Sequence, residues 1–79
     1  MPASKAPAIT WCRPDESVVA CHEKIKVLNE NYNELQQLLQ DALDDALLLG
    51  CSEKMVRDAF QQALDHLQPT VAEDTGEGA

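Results

Sequence analysis

Aromatic residues are nearly absent, with one Trp, one Tyr and one Phe in 79 residues. A core must then come mainly from Leu, Val, Ile and Ala, which suits helix packing on helix better than a β-sandwich. Cations are scarce: Lys and Arg total 6 against 14 acids, a formal charge of -8. A field of that sign repels phosphate backbones and anionic lipid, so neither nucleic acid nor a membrane is expected as a partner. No apolar run reaches transmembrane length, and the N-terminus lacks the apolar core of a signal peptide. The three cysteines, Cys12, Cys21 and Cys51, form no CxxC pair, which excludes the disulfide framework of a secreted miniprotein. A cytoplasmic protein with reduced thiols is the expectation.

What the chain does have is a heptad seam. Val18, Cys21, Ile25, Leu28, Tyr32, Leu35, Leu39, Ala42, Ala46 and Leu49 recur at alternating steps of three and four. An apolar stripe of that period holds one helix face against a partner helix, as in a coiled coil. Residues 1–8 and the acidic stretch 69–79 have too little apolar surface to offset the entropy of ordering, leaving 9–68 as the folded unit. Within it, Pro14 and Asp15 read as a helix start, with Asp15 as cap and Glu16 on the positive end of the dipole. Helix 1 is expected over about 15–49. Gly50 ends it, and helix 2, capped by Ser52, runs over about 52–67 to Pro69.

The short Gly50-Cys51-Ser52 link predicts an antiparallel helical hairpin, an all-α fold. In that register Leu67 falls near Leu35, Phe60 near Ala42 and Val56 near Ala46. Helix 2 is too short to cover 17–34, so the seam there needs another cover. The candidates are the Ile9–Trp11 segment, a partner protein or a second copy forming a four-helix bundle. The expected interface is Val18, Cys21, Ile25, Leu28, Tyr32 and Leu35, with Trp11 closing on the seam or docking a partner.

Catalytic motifs fail on geometry. In Cys21-His22-Glu23, adjacent helical residues point about 100° apart and cannot form a dyad. His22-Glu23 opens like a zinc-protease HExxH helix, but Lys26 stands where the second His belongs. No enzyme activity, cofactor or catalytic residue is expected. Asp41, Asp44 and Asp45 read as a solvated helix face. A metal- or thiol-dependent role would have to draw on Cys12, Cys21, His22, Cys51 and His66, ligand types that zinc prefers, brought together only across an antiparallel dimer.

Around Gly50, Ala46 lies four residues before the turn, and Val56 and Ala59 are apolar beyond it. This stretch resembles DNA-binding helix-turn-helix sequences, implying a DNA-associated regulator as a further alternative. The stretch departs from that pattern at Asp45, which takes a normally apolar place, and in the acidic Glu53 and Asp58 of the would-be recognition helix. The primary expectation is a small non-enzymatic helical protein, a homodimer acting through protein-protein contacts as an accessory, adaptor or assembly factor.

Overall fold

The computed structural model describes residues 9–73. The arm at 1–8 and most of the acidic tail, 74–79, lie outside the described residues. Among those described there are two helices, α1 (His22–Leu48) and α2 (Glu53–Asp65), and no strand beyond one isolated antiparallel bridge, Cys12 to Val18. The all-α hairpin class therefore holds. The chain divides into two compact units, the first ending at Glu34 and taking in Ala72 and Glu73, the second running from Leu35 to Val71.

In the first unit α1 begins at His22, seven residues later than expected from Asp15. Pro and Asp are turn residues as well as helix starters, and here the turn wins. Glu16 N–H donates to the Arg13 carbonyl, Arg13 N–H to Ser17 and Val19 N–H to Trp11, so these groups find partners in a small hairpin. Glu16 takes φ 73, the left-handed conformation that closes a three-residue hairpin loop. Asp15 caps the loop instead of a helix, its Oδ1 accepting from Ser17 N–H at 2.9 Å and Ser17 Oγ at 2.6 Å. Those Ser17 bonds, with nearby Arg13, hold the Asp15 carboxyl below its ordinary range. Their support for the loop is present above the unfolded-state pKa of Asp15 and is lost as pH falls through the folded one. The β-branched Val18 and Val19 favour the same extended path.

The second unit is built as its sequence indicates. Gly50, at φ 102, follows the last turn of α1. Cys51 N–H donates to Ala46 and Gly50 N–H to Leu47, the paired bonds of a Schellman stop. Ser52 then caps α2, its Oγ accepting from Met55 N–H at 3.1 Å. At the far end His66 N–H bonds to Gln62 and Ala63, and its Nδ1 lies 2.8 Å from the Gln62 carbonyl oxygen, ending the helix two residues before Leu67.

Burial in this unit is thin. Val56 is 7% exposed, and Leu43, Ala46 and Phe60 are half-buried. Leu67 and Leu35 line one cleft, as the hairpin register requires. Ala42, expected opposite Phe60, is exposed. Ala46, expected opposite Val56, is half-buried, and the half-burial of Leu43 extends the covered strip beyond the seam, an option open because the apolar stripe of α1 widens after Leu35.

Candidate functional site

The candidate site is a set of surfaces rather than a catalytic pocket. In the first unit, the half-buried Trp11 donates from Nε1 to Asn29 Oδ1 at 2.8 Å, closing the segment before the loop onto α1. Ile25, Leu28 and Tyr32, all expected on the interface, are half-buried on α1. Val18 has left the helix for the bridge with Cys12 and is exposed, as is Cys21. The seam is therefore helical from Ile25 onward, with Val18 and Cys21 outside it. Beside it, Val19, Glu23, Lys24, Val27 and Leu28 line a shallow cleft of about 470 Å³.

Cys21 stands immediately before α1, its carbonyl accepting from Ile25 N–H at 2.9 Å. The Lys24 and Glu23 backbone amides, with a smaller contribution from the Lys24 charge, hold the Cys21 thiol below its ordinary range. The physical cause is the row of unpaired donors at a helix start. All three cysteines are exposed and free, so access does not separate them. We expect iodoacetamide at neutral pH to label Cys21 several-fold faster than Cys12 or Cys51, with the preference vanishing in urea. Equal labelling in the folded protein, followed by peptide mass spectrometry, would show that the helix start does not activate it.

Other chemical groups do not converge. Cys12, Cys21 and His22 belong to the first unit. Cys51 and His66 lie at opposite ends of α2, whose 13 residues span about 20 Å. Among the described residues no three His, Cys, Asp or Glu side chains gather as a metal site. Asp41 and Asp44 accept from Gln37 and Gln40 one turn earlier, at 3.0 and 3.1 Å. No described helix is long and apolar enough to cross a membrane.

The feature that the sequence showed only in pieces is a cleft of about 270 Å³ in the second unit. Leu35 and Leu39 of α1 line it with Phe60, Ala63 and Leu64 of α2 and with Leu67 beyond it. Its signal was the wide stripe of α1, but only the packed pair of helices shows which part stays open. Compared with protein-family profiles, curated proteins and solved structures, the chain matches none.

Proposed function

We propose that this is a non-enzymatic helical protein of the cytoplasm that works through protein-protein contacts, in an accessory, adaptor or assembly role. The observation that carries the reading is the imbalance of apolar surface. Among the described residues Val56 alone is buried, while Leu38, Leu48, Leu49, Met55, Leu64 and Leu67 are all more than half exposed. Fully burying one such side chain is worth about 1.5–3 kcal/mol, so covering several gives association a substantial driving force.

A separate face supports a homodimer: the seam of Ile25, Leu28, Tyr32 and Leu35, flanked by Val18, Cys21 and Trp11, on which Leu35 and Val18 are 47% and 54% exposed. The half-burial of Ile25, Leu28 and Tyr32 narrows the area left for it. Analytical ultracentrifugation at micromolar concentration is expected to return twice the chain mass, and Leu28→Asp to shift it to the monomer. A monomer whose melting is independent of concentration overturns the dimer. The metal- or thiol-dependent alternative has less support, since its five candidate ligands form no cluster within the described residues. The DNA-associated alternative has the acidic charge against it.

A further inference from the structure

We propose that the cleft between α1 and α2 in the second unit is a seat for a cationic amphipathic helix supplied by another protein. This rests on the contact-based function above and narrows it to one face and one partner chemistry. At about 270 Å³ the cleft falls below the roughly 300–1,000 Å³ of small-molecule sites. All six lining residues, Leu35, Leu39, Phe60, Ala63, Leu64 and Leu67, are apolar, so no side chain is available to orient a polar metabolite. Such a cleft suits the apolar side chains of a helix laid into a groove. Leu64 and Leu67 are 55% and 70% exposed and form an accessible wall. From Phe60 to Leu67 the lined stretch runs about 10 Å, the length of about two turns of an occupant.

Charge selects among occupants. From Leu35 to Val71 the chain carries six carboxylates and two cations, Lys54 and Arg57. Both cations are engaged near the start of α2, Lys54 Nζ with Asp58 Oδ2 and Arg57 Nε with Glu53 Oε2, each at 2.7 Å. Neither Leu35 to Cys51 nor Asp58 to Val71 contains a lysine or arginine. Asp41, Asp44 and Asp65 accept hydrogen bonds from the neutral amides of Gln37, Gln40 and Gln61. A second copy would bring the same net negative charge to this unit. A helix with Lys or Arg beside its apolar stripe instead meets both the cleft and the field around it.

The test is calorimetric titration of the full chain, at physiological salt, with two 14-residue amphipathic peptides sharing one Leu face, one flanked by Lys and the other by Glu. The Leu/Lys peptide is expected to bind at micromolar concentration and the Leu/Glu peptide not to bind. Leu64→Asp should weaken binding about tenfold or more although it adds negative charge, because it removes apolar contact. Leu67→Asp, at a more exposed position, provides the same readout with less risk to the fold, and circular dichroism verifies both variants. Equal binding of the two peptides, or Leu/Lys binding untouched by both variants, overturns the proposal. Absence of peptide binding also overturns it, and ultracentrifugation then separates two causes. A dimer dissociated by Leu64→Asp means a second copy fills the cleft and the contact-based function stands, whereas a monomer that binds neither peptide removes that function as well.

Discussion

Val56→Asp is expected to undo the packing of α2 on α1. Val56 is the single buried hydrophobic among the described residues, and an unpaired carboxylate in its place costs several kcal/mol. At about 0.05–0.15 kcal/mol per residue, a unit the length of Leu35–Val71 has only about 2–6 kcal/mol of stability to lose. The substitution therefore removes most or all of it, while Val56→Ala, which deletes two methyl groups, should cost about 2 kcal/mol. Met55→Asp is the control, one residue away and 63% exposed, and should change little. Amide exchange across α2 with far-UV circular dichroism melting measures the effect. Wild-type protection of α2 in Val56→Asp would mean that the helix does not dock through this residue.

The second large effect is expected at Trp11. As the only tryptophan it reports its own environment, and its half-burial with the Asn29 bond predicts blue-shifted, weakly quenched emission in the isolated protein. Trp11→Ala should cost about 2 kcal/mol, below the 3–5 of a fully buried aromatic because part of the ring already meets solvent. Asn29→Leu separates the hydrogen bond from the packing and should cost about 1 kcal/mol. Loss of amide protection at Val19 and along Ile25–Tyr32 in Trp11→Ala is the direct readout. A water-like emission spectrum in the wild type, shifting only when a partner is added, would assign Trp11 to docking instead.

The distribution of legible features follows the range of the forces behind them. Gly50 and Ser52 act within one turn of helix, through a left-handed backbone and a side-chain cap, and each stops or starts a helix where its local chemistry requires. The heptad seam and the shortage of aromatics likewise determined an all-α hairpin, because periodic apolar burial has few other solutions. Pro14 and Asp15 carried two local meanings, helix start and turn. The choice between them came from Trp11 and Val19, residues eight apart whose backbone pairing no local propensity contains.

That pairing moved Val18 and Cys21 off the seam and set the Cys21 sulfur against the first amides of α1. In the second unit the sequence alone determined that α1 has more apolar face than α2 can cover. Tertiary packing decided which residues are covered, Leu43 beside the expected Ala46 and not Ala42, and left the wall of Leu64 and Leu67 open. A stripe specifies that a face will be buried, but the side from which a neighbour approaches depends on side-chain shapes across both helices at once.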